Sequence, residues 1–347
     1  MTVLFIPDIS GFTTFVKEVD IQHSKHIIKE LMELLIETNK NNFTLAEIEG
    51  DALFYYQDEQ KIGVEQIITQ VQNMHRNFHE HLNLYRYRRV CNCGACTTAG
   101  DLELKFIVHI GETDFIELNN QKKPFGPDVI TTHRLLKNKV EAKEYVIFSE
   151  AFFQKYQKEI EGKLGERSLE MEEEYDGNLT KYRYYHLEKP ILEEEKLSFP
   201  QLDGIKAMRM EHFVNADPNE LYQYIVDLGK RLEWTPGLTD LKMEKALNEI
   251  GTSHFCVVNG KNVKVDTVFS NPNPDQLIYV EASQDVPFMK NFTSVFKVKA
   301  KENGSLFIAD LYFDPANIVG RILKPLLQKN FRKTFGKSLE KLDAKFS

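Results

Sequence analysis

The stretch 3–6 is an unbroken apolar run that stops at a carboxylate, Asp8, and then at a Ser10-Gly11 turn. A short apolar run bounded by turn residues reads as a buried strand. Farther on, 43–56 alternates apolar and polar residues around Gly50-Asp51, and reads as a hairpin bent at Gly50. Each strand therefore carries one carboxylate to its end, and the two can face each other across a small gap. Charge at the end of an apolar strand is costly unless a partner meets it. Hard divalent cations take oxygen ligands of this kind and leave room for phosphate oxygens. The turn after Asp8 leads into a helix, whose first backbone N–H groups suit a phosphate.

The chain beyond these stretches changes element type repeatedly. Ile27, Ile28, Leu31, Leu34 and Leu35 recur at helical spacing, and 62–84 is a long amphipathic helix. Residues 102–111 form the next strand, and 115–118 is expected to pair with it. A helix over 128–138, a strand over 145–148 and a final hairpin over 166–187 follow. This order predicts an α+β sandwich with a mainly antiparallel sheet.

Four segments in this order carry a resemblance. Asp8-Ile9-Ser10-Gly11-Phe12-Thr13 and Gly50-Asp51 resemble the two metal-binding motifs of class III nucleotidyl (adenylate and guanylate) cyclases. Val108-His109-Ile110-Gly111 resembles that family's His-x-Gly strand. Gly126-Pro127-Asp128-Val129-Ile130-Thr131-Thr132-His133-Arg134-Leu135 resembles its Gly…Val-Asn-x-Ala-x-Arg-Leu helix. The resemblance covers 1–187 and implies the ferredoxin-like class III cyclase fold.

Carried over residue by residue, it places Asp8, Ile9 and Asp51 at Mg2+ or Mn2+, and Gly11, Phe12 and Thr13 at the phosphates of a nucleoside triphosphate. Arg134 matches the arginine that acts in the transition state. The family's active sites form between two subunits, so the resemblance also implies a homodimer. Three positions depart from the pattern. Ile130 stands where the family has the asparagine that orients the ribose, and loss of one such positioned donor typically costs about 10²–10³ in rate. Glu47 stands where an adenine reader has lysine, and Lys123 where it has aspartate. Those exchanged charges match the edge of guanine, or they simply pair with each other. His109, inside an apolar strand, reads as a satisfied core histidine.

Residues 188–204 combine Pro190, Glu193-Glu194-Glu195, Pro200 and Gly204, and read as a linker. The second domain, 205–347, opens with a strand and a helix capped by Asp217-Pro218. A Trp234-Thr235-Pro236-Gly237 turn, six alternating strands and a long terminal helix follow. This pattern resembles the START-like helix-grip family of polyketide-cyclase and lipid-transfer proteins. The resemblance implies a curved sheet around the last helix and a cavity for an apolar small molecule or lipid. Trp234, Phe255, Phe269, Tyr279 and Phe296 are its candidate lining. Along the terminal helix, Leu323, Leu327, Phe331, Phe335 and Leu339 form one stripe and Lys329, Lys333, Lys337, Lys341 and Lys345 another. The lysine stripe reads as a solvated face or as an anionic membrane contact.

Cys91, Cys93 and Cys96 crowd one loop, and His75 and His79 lie one helical turn apart just before it. Three thiolates and one imidazole, with His79 as the fourth ligand, would complete a tetrahedral zinc site. A redox-responsive thiol group and plain reduced thiols are the other readings. The formal charge of −8 speaks against general nucleic-acid binding, which basic surface leads. Four cysteines so placed do not form a secreted disulfide framework. No apolar stretch approaches the roughly 20 residues that span a bilayer, and the expected location is cytoplasmic.

Three functions stand after this reading. The leading one is a degenerate cyclase-like regulatory protein that binds metal–nucleotide in its first domain and an apolar molecule in its second, with little or no turnover. The second is an active cyclase making a cyclic purine nucleotide, with GTP preferred. The third is a lipid or isoprenoid carrier whose cyclase-like half is a dimerisation scaffold.

Overall fold

The computed structural model describes residues 1–347 except 13–14, 16–20, 42, 119–120, 176, 195–196, 246 and 259. The chain divides into two compact units, one of 1–83 with 98–193 and the other of 84–97 with 194–347.

The first unit is built on β1 (Thr2–Ser10), whose seven central residues are buried. It carries α1 (Ile21–Glu37), then the hairpin β2 (Thr44–Glu49) and β3 (Ala52–Asp58). Gly50 turns that hairpin at a φ of 66°, a conformation that costs glycine little. The long helix α2 (Val64–Arg88) follows, one turn longer than its apolar stripe suggests; its last turn and nearly all of the short helix α3 (Gly94–Thr98) after it are counted with the second unit.

Next come β4 (Glu103–Gly111), the small hairpin β5 (Asp114–Leu118) and β6 (Gln121–Phe125), then α4 (Pro127–Leu135) and β7 (Tyr145–Ser149). Helix α5 (Glu150–Leu164) and the hairpin β8 (Leu169–Tyr175) and β9 (Asn178–His186) complete the unit. The sheet order is β2-β3-β1-β4-β7-β9-β8, with β4–β7 the parallel pair. Residues 115–118 pair with β6 in a separate ribbon rather than with β4. Helix α5 is not among the elements expected from the sequence, although Phe152, Tyr156 and Ile160 recur four residues apart; Ser149 caps it, and Phe152, Phe153 and Ile160 are buried.

The second unit is one antiparallel sheet in the order β10-β16-β15-β14-β13-β12-β11. Its first strand, β10 (Lys206–Val214), leads into α6 (Pro218–Val226), where Asp217 accepts from the Asn219 and Glu220 amides. The single-turn helix α7 (Arg231–Trp234) follows. Strands β11 (Leu238–Met243), β12 (Ser253–Val258), β13 (Lys261–Asn271), β14 (Leu277–Ser283), β15 (Met289–Lys301) and β16 (Gly304–Pro315) run as a meander. Helix α8 (Ile318–Phe346) closes the chain and packs on β10 and β16. Part of the expected linker belongs to this unit: Leu197 joins the core and Phe199 meets the Phe269 ring at 5.3 Å.

The core lies under the second half of α8, where Leu339 and Leu342 are buried and Phe335 stacks with Phe296 and Phe307. The first half of α8 leaves Ile318, Val319, Ile322 and Leu326 exposed.

Candidate functional site

Strands β1, β3 and β4 place the candidate residues of the first unit. Asp8 sits opposite Ala52 on one side and Lys105 on the other. The Ile9 amide donates to the Asp51 carbonyl at 3.1 Å, which ties the two aspartate-bearing strand ends together. Asp8 and Asp51 line one pocket of about 480 Å³, along with Ile9, Ser10, Gly11 and Phe12. Thr13 lies outside the described residues.

The wall of this pocket also holds Asp101, Glu103, Glu141, Lys105 and Lys143, so five carboxylates face two ammonium groups. Burial and the nearby charges of Asp51 and Glu49 push the Asp8 carboxyl up, against the pull of Lys105. Burial likewise raises Asp51. Lys105 donates to Asp8 Oδ2 at 2.9 Å. Burial alone would lower its ammonium pKa, but the charges of Asp8 and its neighbours outweigh burial and raise it. The sequence reading missed this lysine. Its signal was a single cationic residue between Leu104 and Phe106 in an apolar strand.

The other cyclase-like motifs resolve differently. His109 Nδ1 lies 2.7 Å from Ser149 Oγ and Nε2 lies 2.9 Å from Asp128 Oδ1, so the imidazole is tied on both sides. Asp128 Oδ2 accepts from the Glu112 amide at 2.9 Å. Gly111 makes room for that aspartate, since a Cβ there would lie 2.0 Å from its Cγ. The His-x-Gly strand and the Gly-Pro-Asp helix start are thus two halves of one packing joint.

Glu47 and Lys123 meet each other at 3.0 Å. Ile130 is exposed on α4, and Arg134, half-buried on the same helix, is not among the residues that line the aspartate pocket. Its neighbour His133 instead reaches Glu49 at 2.8 Å, and that contact raises the imidazole pKa.

The expected zinc set divides. His79 Nε2 lies 2.6 Å from Glu144 Oε1, with His75 Nε2 3.4 Å from Oε2, all three residues buried. Despite its burial, Glu144 is held down at about 2 by its bonds to the two histidines. His79 therefore already has a carboxylate partner that the sequence reading did not give it. The sulfurs of Cys91, Cys93 and Cys96 gather within 4.8 Å of one another, and none of these residues forms a disulfide.

In the second unit, Trp234, Tyr279 and Phe296 are buried in the main core, Phe269 belongs to a smaller cluster, and Phe255 is half-buried on β12. Among them lies a polar network that the sequence reading passed over. Arg231 donates through Nη2 to Glu281 Oε1, which also accepts from the Tyr279 hydroxyl at 2.8 Å. Tyr279 in turn accepts from Asn248 at 2.9 Å, and Thr267 donates to Asn248 at 2.7 Å. The Arg231 guanidinium lies 4.8 Å above the Trp234 ring, a cation–π distance. Burial keeps the His254 pKa low, and its Nε2 is 3.7 Å from Glu281. Arg231 Nε, Trp234 Nε1 and His254 Nδ1 are buried and have no hydrogen-bond partner. The signal in the sequence was Glu281, a lone charge in the apolar strand 277–282.

Among the described residues no helix is long and apolar enough to cross a membrane. Residues 28–145 match a family described as a protein of unknown function, DUF2652. Residues 207–347 match polyketide cyclase / dehydrase and lipid transport proteins. The uncharacterized protein Rv2561/Rv2562 of Mycobacterium tuberculosis is 29% identical over 125 residues, 36% of this chain and 58% of that protein. The match therefore spans less than two thirds of that relative.

Solved structures give further likenesses. The adenylyl cyclase CyaB from P. aeruginosa is 12% identical over 55% of this chain and 96% of its own, with a TM-score of 0.39. The guanylate cyclase domain of RhGC from Catenaria anguillulae, solved in complex with GTP, is 13% identical over 54% and 97%, with a TM-score of 0.36. The protein XoxI from Bacillus cereus is 17% identical over 40% and 94%, with a TM-score of 0.34. The chain is an α+β protein. Its second unit matches the polyketide-cyclase and lipid-transport family, and its structural neighbours include class III cyclase domains.

Proposed function

We propose that the first unit binds a divalent cation together with a nucleoside triphosphate, with little or no turnover, and that the second unit takes a small apolar molecule with a polar end. The observation that carries the first half is the shared pocket of Asp8 and Asp51 beside the Gly11-Phe12 turn. Their oxygens, with Ile9 between the strand ends, suit a hard cation. Five carboxylates would repel a bare triphosphate, so the nucleotide would enter as its metal complex. A bound Mg2+ or Mn2+ would supply the charge neutralisation that the phosphates need.

Weak or absent turnover rests on what surrounds the pocket. Lys105 already occupies Asp8 as a fixed cation. Ile130 offers no hydrogen bond where a ribose would need one. Glu47 and Lys123 satisfy each other without a base, so no preference between GTP and ATP is proposed.

A homodimer agrees with the exposed apolar side chains Ile48, Ile116, Phe125 and Ile130, because β6 packs against both β2 and α4. In the second unit, the buried N–H groups of Arg231, Trp234 and His254 would read an acceptor such as a carboxylate or carbonyl.

The test is Mn2+-dependent binding of a fluorescent GTP or ATP analogue to the full chain, followed by product chromatography. Binding that needs metal and fails in Asp8→Asn and Asp51→Asn, with no cyclic nucleotide formed, supports the proposal. Cyclic nucleotide released at an ordinary cyclase rate replaces it with the enzyme reading. No nucleotide binding at all leaves a carrier with a scaffold domain. Native mass spectrometry of co-purified small molecules addresses the second unit.

A further inference from the structure

We propose that Cys91, Cys93 and Cys96 form a thiolate site for one zinc ion, built without His79. Three sulfurs from a stretch of six residues converge within 4.8 Å of one another, none of them in a disulfide. Soft thiolates at this spacing select zinc over the hard cations proposed for the aspartate pocket.

The segment that holds them is fixed at several points. Before it, Val90 is buried in the core of the second unit, and the Arg88 carbonyl accepts from the Ile250 amide at 2.9 Å. Within it, Asn92 donates to Asn219 at 3.3 Å. After it, the Thr97 amide and hydroxyl both donate to the Cys93 carbonyl at 3.1 Å.

The Cys93 amide donates to Cys91 Sγ at 3.3 Å. An N–H aimed at sulfur favours the thiolate, as outer contacts do for metal ligands generally. Binding displaces up to three protons, one from each thiol, and no electron transfer is involved. Three ligands fill three of the four positions that zinc takes, and the fourth belongs to a ligand outside this segment. The site is proposed without His79, whose Nε2 is engaged by Glu144.

The test uses the full chain purified under reducing conditions. Elemental analysis is expected to find one zinc per chain, released when an organomercurial caps the thiols. Replacement of zinc by Co2+ is expected to give thiolate charge-transfer bands whose intensity corresponds to three sulfurs. Cys91→Ser, Cys93→Ser and Cys96→Ser each weaken zinc binding by about 10²-fold or more, beyond what outer-contact losses cause. Cys256→Ser and His79→Gln keep it. If the serine variants do not fold, the Co2+ spectrum of the unaltered chain decides alone. Fully reduced protein that takes up neither Zn2+ nor Co2+ overturns the proposal, as does zinc retained in all three serine variants. A stable disulfide among the three thiols overturns it as well.

Discussion

The ammonium nitrogen of Lys105 lies 2.9 Å from Oδ2 of Asp8, directly across the β1–β4 register. A charge that would otherwise call for a metal is already met by a side chain of the same sheet. The pocket still carries an excess of carboxylates, so Lys105 lowers the demand for a cation without removing it.

Lys105→Met is therefore expected to raise Mn2+ affinity tenfold or more at low salt. Two unit charges about 4 Å apart interact by about 1–4 kcal/mol between water-like and surface-like dielectrics. Electron paramagnetic resonance of free Mn2+ measures the change. Unaltered affinity would mean that Asp8 is not a ligand.

Gly111→Ala is expected to destabilise the first unit by about 1–3 kcal/mol, the usual cost of forcing atoms into filled space. The added methyl would displace Asp128 and break its bonds to His109 and the Glu112 amide. Urea denaturation followed by circular dichroism reads the loss, and a midpoint equal to wild type would refute the packing joint.

Arg231→Met is expected to cost about 3–5 kcal/mol, because it strands the Glu281 carboxylate in the core. The double variant Arg231→Met with Glu281→Leu should recover most of that loss. A double-mutant cycle in denaturant midpoints shows whether the pair is coupled.

Asp310 gives the pH dependence. It is buried and accepts from Arg209 at 2.7 and 2.8 Å and from Lys206 at 2.8 Å. Burial alone would raise its carboxyl, but these cations hold it at about 2, against an ordinary 3.8. The folded chain thus binds this proton less readily than the unfolded chain. Its contribution is complete above the ordinary value and is lost as pH falls through about 2. Asp310→Asn should cost about 2 kcal/mol at neutral pH, and its difference from wild type should shrink steadily as the pH is lowered toward 2. A constant difference across that range would exclude this origin.

Local pattern alone determined a good deal of this protein. The apolar run into Asp8, the bend at Gly50 and the succession of strands along the second unit are written in neighbouring residues, because strand and turn preferences act over a few positions. The pairing of β1 with β3 then brings Asp8 and Asp51 to one place. The tertiary structure decided who meets whom across long separations. Lys105 faces Asp8, Glu144 takes His79, Glu47 closes on Lys123 and Glu281 receives Arg231. Residues 115–118 turn back on β6 rather than on β4. Such pairings depend on the register between distant strands and on which charges burial leaves with a single available partner, and neither is carried by any short window of the chain.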